Sequence, residues 1–223
     1  MLEAHGITVG YDRRRVVDGV GIAVPAGAAV GLAGPSGCGK STLARVLALL
    51  QRPAAGRVVI DGVPAPGWRY RAPRELRTSV ALVFQQPRLA VDPRLTLAEI
   101  IAEPLRATGR PAERAGELAA EMGLTPELLT RRPHEVSDGQ LQRACVARAL
   151  TLRPRYLICD EMTTMLDVST QAHLVARIEA YREATGAGVL AISHDTDLLD
   201  RWCGGRVYTW PPGDKSADHL TLR

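Results

Sequence analysis

Apolar positions in the first part of the chain follow two different periods. Apolar residues alternate with glycine and polar residues over residues 16–24, and residues 28–33 form an apolar run between two glycines. Both patterns predict β-strands. After Ser41, apolar residues recur at i, i+3, i+4 and i+7, the stripe of an amphipathic helix that Pro53 and Gly56 end. The stripe consists of Leu43, Val46, Leu47 and Leu50.

The last third of the chain repeats this order of strands and helices. A helix is predicted over residues 168–185, with Gly186 in position to end it. Because strands alternate with helices, we expect an α/β fold whose parallel sheet is covered on both faces. The polar residues after Pro211 predict no element. Short apolar or β-branched runs predict further strands at residues 57–60, 79–84, 156–159 and 189–192.

The middle of the chain, residues 87–152, has a helical pattern instead. Thr96 with Glu99, and Ser137 with Gln140, have the spacing of a capping box, in which the two side chains satisfy the first amides of a helix. We therefore predict an inserted, mostly helical lobe. Two prolines are predicted to lie in first turns of helices, Pro111 and Pro126.

Composition and charge exclude several classes of protein. With 223 residues and 46% hydrophobic content the chain can fill a core, and no apolar run reaches the roughly 18 residues of a membrane span. Residues 1–10 lack the layout of a signal peptide, so we expect a cytosolic protein unless a partner holds it at a membrane. The four cysteines lie far apart, which argues against a zinc site or disulfides. The net charge of +4 comes without a basic run interleaved with aromatics, so no nucleic-acid partner is expected.

Lysine is almost absent from this sequence. Lys40 and Lys215 are its lysines, and the rest of the 28 basic residues are arginines. Lys40 therefore marks a position where arginine would not serve. A compact ammonium fits between phosphate oxygens, whereas a planar guanidinium is too bulky.

Residues 34–41, the phosphate loop, have the sequence GPSGCGKS and match G-x-x-x-x-G-K-[ST] between a predicted strand and a predicted helix. Glycines allow backbone N–H groups to surround phosphate oxygens at a helix N-terminus. Lys40 would contact the β- and γ-phosphates, and the Ser41 hydroxyl would bind Mg²⁺. The predicted nucleotide contacts in this region are Gly34, Pro35, Ser36, Gly37, Cys38, Gly39, Lys40, Ser41 and Thr42.

An apolar strand at residues 156–159 ends in two carboxylates, Asp160 and Glu161. Alone this pattern is as typical of a solvated strand end as of a metal site. Together with the phosphate loop it predicts that Asp160 holds Mg²⁺ and that Glu161 acts as general base on the attacking water.

The signature segment, residues 136–140, has the sequence VSDGQ and resembles the L-S-G-G-Q signature of ABC ATPases. The resemblance extends to smaller landmarks in the same order along the chain. It implies that Tyr11 stacks on adenine, that Gln85 senses both Mg²⁺ and the membrane subunit, and that His194 contacts the γ-phosphate. It also implies a D-loop at Leu166 and Asp167, and contacts with the partner's nucleotide from Ser137, Gly139 and Gln140.

This resemblance implies a fold, cofactors and partners. The fold is a P-loop NTPase (RecA-like) parallel-sheet core with a small antiparallel β region and an inserted helical lobe. Residues 1–223 are expected to be a single ABC ATPase domain, with residues 1–86 and 154–223 in the core lobe and residues 87–153 in the helical lobe. Two such subunits, identical or paralogous, would bind ATP and Mg²⁺ head to tail. Two transmembrane permeases would hold them at the cytoplasmic face of the membrane, with a solute-binding protein as an indirect partner.

Two segments depart from the family pattern. Asp138 replaces a glycine, and a carboxylate near a γ-phosphate repels it by about 1 kcal/mol or more. We expect Asp138 to point away from the nucleotide and this half-site to work. Residues 161–165, EMTTM, differ from the usual E-P-T-S-A, which leaves contacts across the dimer open.

Further segments resemble the peptide/nickel importer branch of the family. They are residues 84–87 (FQQP), 91–94 (VDPR), 101–105 (IAEPL) and 133–135 (PHE). The expected cargo is an oligopeptide, nickel or a metal chelate. Three alternatives are a soluble ABC protein acting on ribosomes or DNA, a regulatory subunit that binds ATP with weak turnover, and a small-molecule kinase.

Overall fold

The computed structural model describes residues 1–11, 14–163, 166–210 and 220–222. The strands are β1 (Leu2–Tyr11), β2 (Arg14–Val24), β3 (Ala29–Ala33), β4 (Ala55–Ile60), β5 (Val63–Pro64), β6 (Val80–Val83), β7 (Tyr156–Asp160), β8 (Gly188–Ser193), β9 (Val207–Thr209) and β10 (Thr221–Leu222). The helices are α1 (Lys40–Leu47), α2 (Arg74–Ser79), α3 (Leu97–Thr108), α4 (Glu113–Glu121), α5 (Pro126–Leu129), α6 (Asp138–Leu150), α7 (Val168–Thr185) and α8 (Thr196–Cys203).

The chain divides into two compact units. The first unit comprises Met1–Leu82, Arg155–Glu161 and Arg182–Arg223, and the second unit comprises Val83–Pro154 and Met162–Tyr181. Within the described residues, no helix is both long and apolar enough to cross a bilayer.

Two sheets form the first unit. Strands β2, β1, β4 and β5 lie in that order in an antiparallel sheet, and the larger sheet has the order β10, β9, β3, β8, β7, β6. Strand β3 is parallel to both β8 and β9, and β7 is parallel to β8. Helix α1 packs among apolar side chains of both sheets, because Leu43 and Leu47 are fully buried in one core with Leu2 and Ile158. The predicted α/β fold with a separate antiparallel sheet is confirmed.

Several boundaries and elements differ from the prediction. Helix α1 ends at Leu47 and not near Pro53 and Gly56, because Leu49 has φ +59°, and Leu50 of the predicted stripe lies beyond the helix. The run at residues 79–84 divides, because Ser79 ends α2 and only residues 80–83 form strand β6. Strand β10 pairs Thr221 and Leu222 with β9, so the prediction of no element after Pro211 is wrong there. A two-residue edge strand depends on its neighbour's hydrogen bonds and leaves no pattern of its own. Residues 211–219 lie outside the described part of the chain.

Helices α3, α4 and α6 pack together in the second unit, as the helical pattern predicts. Both predicted capping boxes are present: Glu99 N–H donates to Thr96 Oγ1 and Gln140 N–H donates to Ser137 Oγ, each with the reciprocal bond. Pro126 occupies the first turn of α5 as predicted. The prediction for Pro111 is wrong, because α4 begins at Glu113 after the N-cap residue Ala112.

Gly56 in β4 allows β1 and β4 to approach each other closely. A Cβ atom there would lie 2.6 Å from the His5 carbonyl oxygen and would collide with that of Gly6, and the residue has φ +89°. We predict that Gly56→Ala lowers the free energy of unfolding by about 2–4 kcal/mol, measured by urea denaturation. Gly62→Ala is the matched control, because Gly62 has φ +79° but open space around it. An equal loss in both variants would show that backbone conformation alone sets the cost.

Asp167 directly precedes α7 and accepts hydrogen bonds from Thr170 N–H, Ser169 Oγ and Thr170 Oγ1 at 2.9, 2.6 and 2.8 Å. These bonds hold the pKa of its carboxyl well below the usual 3.8. The native state therefore binds fewer protons than the unfolded chain, so this stabilisation is present above the usual pKa and lost as the pH falls below it. We predict that Asp167→Asn lowers the free energy of unfolding at pH 7 and that its difference from wild type shrinks in acid. Asp200→Asn, at an exposed position of α8, has the same charge change and should have little effect.

Candidate nucleotide site

The phosphate loop joins β3 to α1, in the predicted order of strand, turn and helix. Lys40, the first residue of α1, is 3% exposed and donates through Nζ to the carbonyl oxygens of Gly34 and Pro35 at 2.7 and 2.9 Å. Gly39 has φ +117°, and a Cβ atom there would lie 2.8 Å from the Val16 carbonyl oxygen. The loop therefore requires glycine at this position, and it places the ammonium of Lys40 inside its own turn.

Four further side chains gather beside Lys40 in the first unit. Ser41 Oγ donates to Asp160 Oδ1 at 3.1 Å, and Lys40 Nζ lies 3.3 Å from Glu161 Oε1. His194 Nδ1 lies 3.7 Å from Glu161 Oε2. These residues follow or end adjacent strands of one parallel sheet, so their convergence results from the strand order β3, β8, β7.

Glu161 has a backbone conformation that is uncommon for a residue with a side chain. Its φ is +44°, and its N–H donates to the Ile192 carbonyl oxygen at 3.0 Å. Strain of this kind is concentrated at functional sites and persists only where surrounding bonds enforce it. The bond to β8 fixes the direction in which the carboxylate leaves the end of β7.

Burial controls the acidity of two groups in the site. Burial raises the pKa of the Asp160 carboxyl, and the Ser41 hydrogen bond opposes this shift. Burial also raises the pKa of the Cys38 thiol, against the attraction of Lys40. Asp160 is 3% exposed, and the partner that hydrogen-bonds to its Oδ1 is a hydroxyl.

A hydroxyl beside a buried carboxylate fits Mg²⁺, which binds proteins through one or two oxygen ligands and fills its remaining positions with water and phosphate oxygens. Among the described residues, no group of three or more His, Cys, Asp or Glu side chains is arranged to hold a metal. Ser41 Oγ and Asp160 Oδ1 are two oxygen atoms of the kind that could bind Mg²⁺ together with phosphate oxygens.

The signature segment lies in the second unit, at the start of α6. Ser137 is the N-cap residue, and a Cβ atom at Gly139 would lie 3.5 Å from Leu166 and 3.7 Å from Thr170. The segment therefore packs against the predicted D-loop and the first turn of α7. The carboxylate of Asp138 accepts a 2.7 Å hydrogen bond from Arg88 Nε.

The contacts predicted for Gln85 with metal and for Tyr11 with adenine stay predictions. Gln85 lies in the second unit, directly after Phe84, whose carbonyl oxygen accepts from Gln142 Nε2 at 3.3 Å. Tyr11 ends β1 in the first unit, is 48% exposed, and accepts a hydrogen bond from Gln51 Nε2 at 2.5 Å.

Two residues near these segments have no counterpart in the sequence predictions. Trp210 is buried, and its Cβ would lie 2.6 Å from a Cβ atom at Gly34, so the indole supports the phosphate loop from the adjacent strand end. Arg88 contacts the start of α6. No local pattern marks either residue, because both act on segments distant in sequence.

Comparisons with known proteins show which family and which fold the chain resembles. Residues 17–164 match the family model described as ABC transporter. The chain is 39% identical over 198 residues to a probable peptide ABC transporter ATP-binding protein of Sinorhizobium fredii, covering 86% of this chain and 56% of that protein. It is 38% identical over 226 residues to the nickel import ATP-binding protein NikE of Escherichia coli O6:K15:H31, covering 95% and 84%.

A solved structure has the same fold. The dimeric structure of an ATP-binding cassette in a post-hydrolysis state, bound to ADP and Pi, matches with a TM-score of 0.86 and 26% identity over 100% of this chain and 98% of that one. The chain spans a little over half the length of the peptide transporter relative. The family model covers the phosphate loop, the signature segment and the acidic end of β7. The chain therefore belongs to the ABC transporter family.

Proposed function

We propose that this chain is the ATP-hydrolysing subunit of an ABC importer. The observation that carries the proposal is the convergence of Lys40 and Ser41 with Asp160 and Glu161 at one edge of the parallel sheet. A phosphate loop with a buried lysine is suited to hold the phosphates of a nucleotide, and a carboxylate beside it is suited to accept a proton from water.

Each residue in the cluster has a distinct task in this proposal. Lys40 attracts the β- and γ-phosphates, and its stem needs little rearrangement because the phosphate loop already holds its ammonium. Glu161 orients the attacking water and takes its proton. His194, at the end of β8, contacts the γ-phosphate and steadies the Glu161 carboxylate. Ser41 and Asp160 would hold Mg²⁺, which neutralises charge on the phosphates.

The second unit supplies the other half of a shared site. Ser137, Gly139 and Gln140 would contact ATP bound to a second ATPase subunit, identical or paralogous. The amides at the start of α6 favour an anion there, and Ser137 can donate its hydroxyl. Gln85 would respond to both Mg²⁺ and the permease.

The relatives support a cargo class and a location. One is named for peptide transport and one for nickel import. We propose an oligopeptide, nickel or a metal chelate as cargo, two transmembrane permeases as partners, and a solute-binding protein as an indirect one. The subunit would then lie at the cytoplasmic face of the membrane. ATP would close two subunits on each other, and hydrolysis would reopen them.

Glu161→Gln should separate binding from hydrolysis. We predict a loss of ATP turnover of about 10²–10⁴-fold, because the amide cannot accept the proton, while the affinity for ATP is kept. Phosphate release and equilibrium binding of a fluorescent ATP analogue measure the two effects. Glu117→Gln, on the exposed face of α4, is the control and should match wild type. Unchanged turnover in Glu161→Gln would remove Glu161 from the catalytic role.

Lys40→Arg tests the ammonium at constant charge. Since Lys40 is buried against two carbonyl oxygens, a guanidinium should displace the loop and lower ATP affinity and turnover, the latter by about 100-fold or more. An active Lys40→Arg variant would contradict the requirement for a compact ammonium at this position. The same two measurements apply, with circular dichroism as a check on folding.

Purification of the tagged chain from gently solubilised native membranes tests the transporter role. We predict recovery of two multi-span proteins, with or without a second ATPase, identified by mass spectrometry. Recovery of ribosomal proteins, or of the chain without any membrane protein, would overturn the proposed importer role and leave only the proposed ATPase activity.

A further inference from the structure

Arg88 links two segments of the second unit that lie far apart in sequence. It belongs to a short 3-10 helix, Pro87–Leu89, that follows the predicted Gln85 loop. Its Nε donates to Asp138 Oδ1 at 2.7 Å. Its Nη1 donates to the Pro133 carbonyl oxygen at 2.6 Å, and its Nη2 donates to the Val136 carbonyl oxygen at 3.0 Å. One guanidinium therefore holds three acceptors of residues 133–138.

The three acceptors flank the residue that caps α6. The Pro133 and Val136 carbonyls precede Ser137, and Asp138 follows it as the first helical residue. A guanidinium is a rigid planar fork, so three bonds to one segment fix the position of that segment more strongly than a flexible ammonium could. Arg88 and Asp138 are about half exposed, at 45% and 47%, so their ion pair alone contributes little to the free energy of folding. The two hydrogen bonds from Arg88 to backbone carbonyl oxygens are the ones that fix the position of the segment.

Asp138 introduces a charge beside a segment that is suited to bind an anion. A glycine at this position would present only its amide, whereas a carboxylate adds a negative charge one residue from Ser137. Arg88 places a positive charge 2.7 Å from that carboxylate and directs Oδ1 to itself. The acid and its counter-charge thus come from two segments fifty residues apart.

We propose that Arg88 is a positioning residue that holds the signature segment in place, and that it neutralises Asp138 so that an acid is tolerated there. The positioning role concerns only the fold of this chain. The neutralising role is tested through ATP turnover and therefore rests on the proposed ATPase function.

Hydrogen–deuterium exchange on the full chain tests the positioning role of Arg88. We predict that Arg88→Ala speeds amide exchange over residues 137–141 by about tenfold, because the start of α6 opens more often. Arg94→Ala is the matched control: Arg94 makes an equally short ion pair, 2.7 Å, but with Asp92 of the same loop, and should leave that exchange unchanged. Unchanged exchange in Arg88→Ala would overturn the positioning role, whatever the ATPase result.

ATP turnover in a double-mutant cycle tests whether Arg88 neutralises Asp138. Arg88→Ala should lower kcat about tenfold or more while the chain's own affinity for an ATP analogue stays within about threefold, because the phosphate loop belongs to the first unit. Asp138→Gly should restore most of the loss in the Arg88→Ala background, since no unpaired carboxylate then remains. A purely structural arginine would give the same loss whether Asp138 is kept or replaced by glycine, and that result would overturn the neutralising role.

The two measurements fail in different ways. If wild type hydrolyses no ATP, the proposed function falls while the exchange comparison of Arg88→Ala with Arg94→Ala still decides the positioning role. If wild type is active and the cycle shows no coupling between Arg88 and Asp138, the neutralising role of Arg88 is overturned and the proposed ATPase function is kept.

Discussion

The buried ammonium of Lys40 is the constraint on which the candidate nucleotide site depends. A charge that is 3% exposed must be supplied with acceptors, or its desolvation would cost several kcal/mol. The phosphate loop meets this requirement with two of its own carbonyls, and Glu161 supplies a carboxylate. Gly39 lets the loop turn tightly enough to do so, because a side chain there would press against β2. The tight turn at Gly39 and the two carbonyl bonds to Lys40 are therefore parts of one arrangement that holds the ammonium inside the loop.

The parallel sheet converts that local requirement into a site. Because β3, β8 and β7 are adjacent and point the same way, the residues that follow them emerge at one edge. The register pairs Asp160 with Ile192, so the next amide, that of Glu161, can bond to the Ile192 carbonyl oxygen. This bond holds Glu161 at positive φ and offsets the backbone strain. Sheet register, rather than any feature of residues 160 and 161 alone, directs the two carboxylates to different partners.

The sequence predicts those parts of this arrangement that are locally encoded. The phosphate loop, the start of α1, the two capping boxes and all of α7 depend on spacing within a few residues. The predicted apolar stripe extends one position too far, because Leu50 lies beyond the end of α1 and is exposed. Strand β1 escapes prediction because its pairing with β2 is interrupted by register shifts, which break the period of two. Strands β9 and β10 are short, so their existence depends on hydrogen bonds to β3 and to each other. The contact of Trp210 with Gly34 escapes prediction for the same reason, because it forms only when β9 lies beside β3.

Asp138 shows why a motif should not be judged one position at a time. In the sequence, an acid in place of glycine next to a segment that is expected to bind an anion predicts repulsion, and therefore a side chain that points away from the anion. In the structure the carboxylate is bonded to Arg88, a residue without any motif of its own. The free energy of placing a charge depends on the charges around it, and here a counter-charge is contributed by a different segment. The consequence of a motif departure is therefore a property of the pair, and a chain that carries Asp138 without Arg88 would differ from this one even though its signature segment is identical.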